Sequence, residues 1–386
     1  MRAGTASTPS PLQAQPEHQL AELGGADGPL RLRRAWPRGP GHLLLEYVEP
    51  GGVSLPGQWF ADPARLAEVA VETAAGARPG QVTAGERRGV LLQRGGADRR
   101  LAALGAVVDD ETATLVVHRP ERRAVVRRRR PTGITYVKVW RPGRAPAPVP
   151  ALPVPTPAVL AADVDAGVVE LAELPGRSLH DLLGDAGVPD ADVSRAFAAA
   201  GAAAAVLHGA PAPPSTPAHD VEAEAGVVAR WLRHAIDHGA LPAGARAQAD
   251  AQLQRVRAML GDPATAGPGV LLHRDLHDKQ VLVTPAGDAG MLDLDTLARG
   301  EAALDVANLL VHLELRALQG HCPRSRAEVA AAAFVEAYRP ARAVTTRLAA
   351  FAAASRVRLA CVYAFRPAEA GVVSALLEGP QALLAV

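Results

Sequence analysis

Between Pro142 and Pro157 the chain carries seven prolines, in the run PGRAPAPVPALPVPTP. Proline fixes φ at about −65° and has no N–H to donate, so neither a helix nor a central strand can pass through this stretch. It reads as an extended, polyproline-like connector. The chain must therefore fold from different material on its two sides. Before it stand short apolar runs broken by Gly and Pro. After it, from residue 177, stand long segments rich in Ala and Leu.

Upstream, LRLRRAW, HLLLEYV, VSLPGQWF and GVLLQR have the length and punctuation of strands. Between them lies DPARLAEVAVETAAG, where Asp62 suits an N-cap, Pro63 the first helical position and Gly76 the end. A second short helix is expected over ADRRLAALGA. Five more strands are expected, TATLVVHR, RAVVRRRR and GITYVKVWR before the connector and PAVLAAD and GVVELAEL just after it. In the third, Ile134, Tyr136 and Lys138 point one way and Thr135, Val137 and Val139 the other.

Downstream, helices are expected from SLHDLLGDAG, DADVSRAFAAAGAAAAVLHG and HDVEAEAGVVARWLRHAIDHG, and again from about residue 301 onward. Trp231 and Tyr363 are read as core residues. The organisation is α+β: a disordered tail over 1–27, a small α+β unit over 28–108, a strand-rich unit over 109–174 and a helical unit over 175–386.

Composition limits the partners. The formal net charge is +1, so no basic field argues for nucleic acid. No apolar run reaches the length of a membrane span, and the first residues lack the apolar core of a signal peptide. Cys322 and Cys361 form neither a disulfide framework nor a metal cluster. A cytoplasmic setting follows as the expectation. Basic residues are nearly all Arg; the only lysines are Lys138 and Lys279. A position that stays Lys in such a chain is a candidate for needing a compact ammonium.

The segment LLHRDLHDKQVLV, residues 271–283, sets polar and charged groups between two short buried-looking strands. Ten residues after Val283 comes Asp293, in MLDLD, at the end of another apolar strand. Such carboxylates and an amide can surround one Mg²⁺ and one reacting hydroxyl, since magnesium prefers hard oxygen ligands. Phosphoryl transfer needs an orienting carboxylate at the acceptor, metal ligands, and a cation on the phosphates. Asp275 suits the first role, Gln280 and Asp293 the second, and Lys138 the third. Asp295 is a second metal ligand or a turn residue. Lys279 lies in the loop near phosphate or solvent. His273 and His277 suit scaffold roles, and Asp305 suits ordering the loop.

With these residues in place, HRDLHDKQVL followed by LDLD resembles the aminoglycoside phosphotransferase and choline kinase group of protein-kinase-like enzymes. His273, Asp275, Leu276, His277 and Asp293 match its pattern position by position. GEAALDVANLL resembles its following helix and YVKVW its nucleotide-lysine strand. ELPGRSL resembles its hinge, which implies a nucleotide contact from Glu173. The resemblance covers about residues 112–365. It implies a two-lobed protein-kinase-like fold, ATP and Mg²⁺, and a small-molecule hydroxyl acceptor: a sugar, amino sugar, aminoglycoside or amino alcohol. Acidic residues on late helices, Glu314, Glu328 and Glu336, are candidates for recognising an acceptor amine.

The chain departs from the pattern in three places. Gln280 stands where Asn is usual, as in maltokinase-like and glucosamine-kinase-like relatives, which also carry an extra amino-terminal cap. Arg274 stands where Gly is common. No Glu lies between Lys138 and Glu170, so the helix that normally pairs a glutamate with the nucleotide lysine is missing. The expectation is that helix 63–75 docks there and that Glu68 or Glu72 pairs with Lys138. The loop HRPERRA also lacks phosphate-cradling glycines. These departures keep open a non-catalytic, nucleotide-binding regulatory reading. A protein-kinase reading fares badly, because a helix is expected too soon after Asp293 for an activation segment and neither Asp-Phe-Gly nor Ala-Pro-Glu is present.

Overall fold

The computed structural model describes residues 10, 12, 30–146, 151–261, 267–339 and 347–379. The expected tail 1–27 falls outside these, apart from Ser10 and Leu12, as do residues 147–150 of the proline connector. The described part of that connector contains neither helix nor strand before Val159.

Five antiparallel strands form the first sheet: β1 (Arg31–Gly39), β2 (His42–Val48), β3 (Ser54–Phe60), β4 (Val82–Gly85) and β5 (Val90–Gln93), in the order β1-β2-β3-β5-β4. Helix α1 (Pro63–Ala75) follows β3. The Asp62 carboxylate accepts from Ala64 N at 2.9 Å, which satisfies one of the orphan donors at its start. Leu66 and Val69 bury its inner face against Phe60 and Leu91.

The helix expected over 97–106 forms later and shorter, as α2 (Leu104–Val108). Asp98 is the reason. Its carboxylate takes the backbone N–H groups of Arg100 and Leu101, at 2.7 and 3.0 Å, and that of Glu121 at 2.7 Å. These bonds offer the backbone an alternative to the helix.

A second sheet holds β6 (Ala113–Arg119), β7 (Arg123–Arg130), β8 (Gly133–Trp140), β9 (Val159–Asp163) and β10 (Val168–Ala172), ordered β6-β7-β8-β10-β9. On β8 the alternation is as the sequence requires. Thr135, Val137 and Val139 are buried, and Lys138 faces the other way.

The rest is mainly helical. After β11 (Arg177–Ser178) come α3 (Leu179–Gly184), α4 (Asp190–Gly209), α5 (Val221–Asp237) and α6 (Ala245–Leu260). Four short strands follow: β12 (Gly269–Leu272), β13 (Val281–Val283), β14 (Ala289–Met291) and β15 (Ala298–Glu301). Helices α7 (Ala303–Leu318), α8 (Arg324–Tyr338), α9 (Leu348–Tyr363) and α10 (Ala370–Glu378) close the described chain. Helix α4 packs on α8 so closely that a Cβ on Gly201 would lie 2.2 Å from the Phe334 carbonyl oxygen. Helix α7 is buried on every side from Ala303 to Arg316.

The first sheet is not a free-standing unit. Leu43, Leu45 and Trp59 share one continuous core with the helices. Ala35 N donates to the Phe365 carbonyl at 2.8 Å, and His238 Nε2 donates to the Gly39 carbonyl at 3.1 Å. It also reaches the second sheet, where Gln58 donates to Glu121 at 3.5 Å. The architecture is α+β and two-lobed, with this extra sheet bracing both parts. Among the described residues no helix is long and apolar enough to cross a membrane.

Candidate active site

The polar loop after β12 is held by groups that α7 brings to it. Asp305 accepts the backbone N–H groups of His273 and Arg274, at 2.7 and 2.8 Å. Asn308, the only asparagine, donates to the Leu276 carbonyl at 2.9 Å. Arg316 grips Asp278 through two bonds, at 2.7 and 3.0 Å. His273 Nε2 donates to the Leu292 carbonyl at 2.9 Å, and its Nδ1 accepts from Asp275 N at 3.4 Å. One imidazole thus ties the loop to the segment that carries Asp293.

The strands flanking the loop lie in different sheets. β12 pairs with β15, while β13 runs between β11 and β14. Two non-glycine residues here adopt left-handed backbone: Arg274 at φ +70° and Asp293 at φ +56°. Each costs about 1 kcal/mol, and such strain concentrates where side chains must be aimed.

Two clefts meet at this point. The first, of about 80 Å³, lies between the second sheet and the loop after β14. Val169 and Leu171 supply an apolar surface; Lys138, Asp293 and Asp295 supply charge. Lys138 Nζ donates to Asp293 Oδ1 at 2.8 Å and to Asp295 Oδ2 at 3.0 Å. Arg123 stands 3.6 Å from Asp293 and 3.8 Å from Asp295. Burial pushes the Asp293 carboxyl up, but the Lys138 and Arg123 charges outweigh it and hold the group far below the usual carboxylate range. Burial and the Asp293 charge together raise Asp295. Two close carboxylates cannot both ionise equally.

The second cleft, of about 200 Å³, lies between α5, α7 and α9. Asp275 lines it, with its side chain 47% exposed. Asp293 and Asp295 face the first cleft and Thr296 the second, so this short stretch is the wall between them.

The other expected site residues fall around this centre. Leu292 N donates to the Gln280 carbonyl at 2.8 Å, which sets Gln280 beside the start of the Asp293 segment. Its side-chain amide nitrogen is 3.5 Å from His277 Nε2, and Gln280 lines neither cleft. Glu173 is exposed at the end of β10, accepts from Tyr136 Oη at 3.5 Å, and lies outside both linings. Lys279 is exposed on the loop.

Three expectations are corrected. The partner of Lys138 is the Asp293–Asp295 pair and not a glutamate of α1, since Glu68 pairs with Arg65 and Glu72 with Arg99. Glu314 is buried against Arg356, Glu328 pairs with Arg324, and none of Glu314, Glu328 and Glu336 reaches the second cleft. Trp231 is half-buried and lines that cleft, because it sits at the edge of the apolar stripe of α5.

Sequence reasoning missed Arg119 and Arg123, which end β6 and begin β7 where phosphate-binding glycines were sought. Arg119 stacks over Trp36 of the first sheet at 4.8 Å, and Arg34 covers the same ring at 4.5 Å. Burial and the charges of Arg123 and Arg34 push the Arg119 guanidinium down, while Asp293 and Asp275 act against them.

A metal would find hard oxygen donors here in Asp293 and Asp295, and Gln280 adjoins their segment through its backbone carbonyl, which accepts from Leu292 N. That donor set fits Mg²⁺.

A strand-rich lobe offering a lysine to a carboxylate pair, over a helical lobe offering a pinned aspartate loop, defines the two-lobed protein-kinase-like class. The profile of the phosphotransferase enzyme family matches residues 107–350, more than half of the chain. The chain belongs to that family, the aminoglycoside phosphotransferase and choline kinase-like group. A comparison with curated proteins finds no match. Among solved structures, one of glucosamine kinase in complex with glucosamine, ADP and inorganic phosphate is similar at 19% identity, covering 97% of this chain and 98% of that one, with a TM-score of 0.47. An aminoglycoside phosphotransferase from Streptomyces rimosus is similar at 18% identity, covering 67% and 96%, with a TM-score of 0.47. A macrolide 2'-phosphotransferase from Brachybacterium faecium is similar at 19% identity, covering 71% and 94%, with a TM-score of 0.42.

Proposed function

We propose that the chain transfers the terminal phosphoryl group of ATP to a hydroxyl of a small molecule. The observation that carries this reading is the meeting of Lys138, Asp293 and Asp295 in one cleft, one wall away from Asp275 in the next. Asp275 orients the acceptor hydroxyl and takes its proton as the oxygen–phosphorus bond forms and the bond to the ADP oxygen breaks. Lys138 binds the nucleotide phosphates, and Asp293, Asp295 and Gln280 hold Mg²⁺. The metal, when bound, screens the charge on the phosphates. Glu173 and the apolar surface of β10 receive the base. Residues 109–174 and 175–386 act as the two lobes, with 28–108 as a cap. An intracellular, ATP-supplied setting agrees with two free, buried thiols, Cys322 and Cys361.

One observation favours a second reading, a nucleotide-binding regulator. The cation expected on the phosphates is engaged by the very carboxylates expected to hold the metal. ADP release from Mg-ATP, measured across sugars, amino sugars, sugar acids, sugar phosphates, aminoglycosides and amino alcohols, separates the two. Acceptor-stimulated turnover that Asp275→Asn abolishes supports the phosphotransferase. Mg-ATP binding with no Asp275-dependent turnover on any acceptor overturns it in favour of the regulator.

A further inference from the structure

The second cleft carries more positive charge than its own residues neutralise. Arg230 of α5, Arg274 of the loop and Arg358 of α9 all line it. Among the described residues none of the three has an ion-pair partner, and Arg358 donates to the neutral Asn308 amide oxygen. The buried arginines of the helical lobe are matched: Arg316 by Asp278, Arg356 by Glu314, Arg326 by Asp190 and Arg347 by Glu301.

Two carboxylates face these guanidiniums. Asp275 is engaged with the reacting hydroxyl, on the reading above. Glu224 is 6% exposed and accepts from His219 at 2.9 Å. Burial raises its carboxyl, but the His219 bond and the charges of Arg358, His219 and Arg274 together hold it low. Glu224 is thus shared among His219, Arg358 and Arg274, and with Asp275 it leaves the three guanidiniums of the cleft one positive charge in excess, which a ligand amine would meet.

The backbone of Arg274 supplies an independent argument. At φ +70° this position favours glycine, and a larger side chain here is strained. Such strain concentrates where side chains must be aimed, and Arg274 lines the cleft. Guanidinium forks match carboxylate and phosphate oxygens. Trp231, half-buried on the same cleft, offers a flat apolar surface to a ring.

We propose that the acceptor is an anionic hydroxyl compound, a one-ring sugar acid or sugar phosphate, whose anion sits on Arg230, Arg274 and Arg358 while a hydroxyl faces Asp275. The proposal rests on the phosphotransferase reading for the identity of the cleft, but its charge preference is testable without turnover.

The test is calorimetric binding of four matched compounds, glucose, glucosamine, glucuronate and glucose 6-phosphate, to the full chain without nucleotide. Glucuronate or glucose 6-phosphate is expected to bind roughly tenfold tighter than glucosamine. Their relative order tells whether the site takes a carboxylate or a phosphate. Arg230→Gln and Arg358→Gln are each expected to erase the preference. Arg274→Gly is expected to erase it without lowering the melting temperature, since it relieves the left-handed strain. Glucosamine binding as tightly as either anion, a preference that survives all three variants, or no binding of either anion overturns the proposal. Asp275-dependent transfer to glucose or glucosamine with no anion preference removes the anionic acceptor and leaves the phosphotransferase. Anion binding without Asp275-dependent transfer keeps the anion site and removes the phosphotransferase.

Discussion

Lys138 Nζ lies 2.8 Å from Asp293 Oδ1, a contact between residues 155 positions apart in the chain. It joins the second sheet to the loop after β14, and Asp295 completes it on the other side at 3.0 Å. A point charge on a flexible stem can sit between two carboxylates, where a planar fork would have to choose one pair of directions. This gives a physical reason for lysine here in a chain whose basic residues are almost all arginine.

Lys138→Met should therefore lower kcat/KM by about two to three orders of magnitude, the range seen when one donor to developing charge is removed. Lys138→Arg should recover little of it. Steady-state kinetics with nucleotide as the varied substrate reads both. Full activity in Lys138→Arg would mean that charge alone suffices and that the three-group geometry is incidental.

Asp275 is pinned from behind while its carboxylate stays exposed, as a group needs to be to meet a substrate. Asp275→Asn should cut kcat by roughly two to four orders of magnitude, the span of general-base contributions. Affinity for Mg-ATP, read by calorimetry, should hold, because the cleft proposed to take the nucleotide lies beyond the Asp293–Thr296 wall. A parallel loss of nucleotide affinity would move Asp275 from the acceptor to the metal.

The first sheet reaches the site through one aromatic ring. Trp36 is flanked by Arg34 and Arg119, and Arg119 feels the charges of both Asp293 and Asp275. A cation–π contact contributes about 0.5–2 kcal/mol. Trp36→Ala should thus lower kcat by a few-fold to roughly thirtyfold, and Arg119→Gln by more. Melting curves serve as the control for folding. Unchanged kcat in both variants would reduce the first sheet to a brace.

The elements most legible in the sequence were those whose local chemistry points one way. Asp62, Pro63 and Gly76 bound α1, and Ser178 caps α3 as its residue type suggests. The alternation on β8 put Lys138 on the correct face. Helix α6 was not foreseen, because its buried stripe is Ala245, Ala249, Leu253, Val256 and Leu260, and alanine carries little hydrophobic signal. The pairing of β12 with β15 was hidden too, since a strand of four residues does not specify its partner. Lys138 posed a different problem. A local search looks for a nearby glutamate, whereas its partners arrive through tertiary contact from Asp293 and Asp295. Arg123 is one of many arginines in the sequence until folding sets it beside those carboxylates, and Arg119 until folding sets it over Trp36 within reach of the Asp293 and Asp275 charges.

In the sequence Asp278 is one polar residue of the loop among several, yet it is fully buried. Arg316 bonds it twice and His180 Nδ1 at 2.6 Å. Burial pushes its carboxyl up, but His180, His277 and Arg316 outweigh burial and hold it well below the ordinary range. The unfolded chain, with a carboxyl pKa of about 3.9, then binds the proton before the folded chain does. The stabilisation is complete above that value and drains away as pH falls below it toward the folded pKa. Asp278→Asn should cost about 3–5 kcal/mol at neutral pH, because Arg316 is left buried without its partner. Pairing it with Arg316→Met should restore part of that loss. Urea unfolding at neutral pH and again below pH of about 3.9 reads both effects, and the gap between wild type and Asp278→Asn should narrow in acid. A gap that stays constant with pH would mean that the shape of this cluster, and not its charge, holds the loop in place.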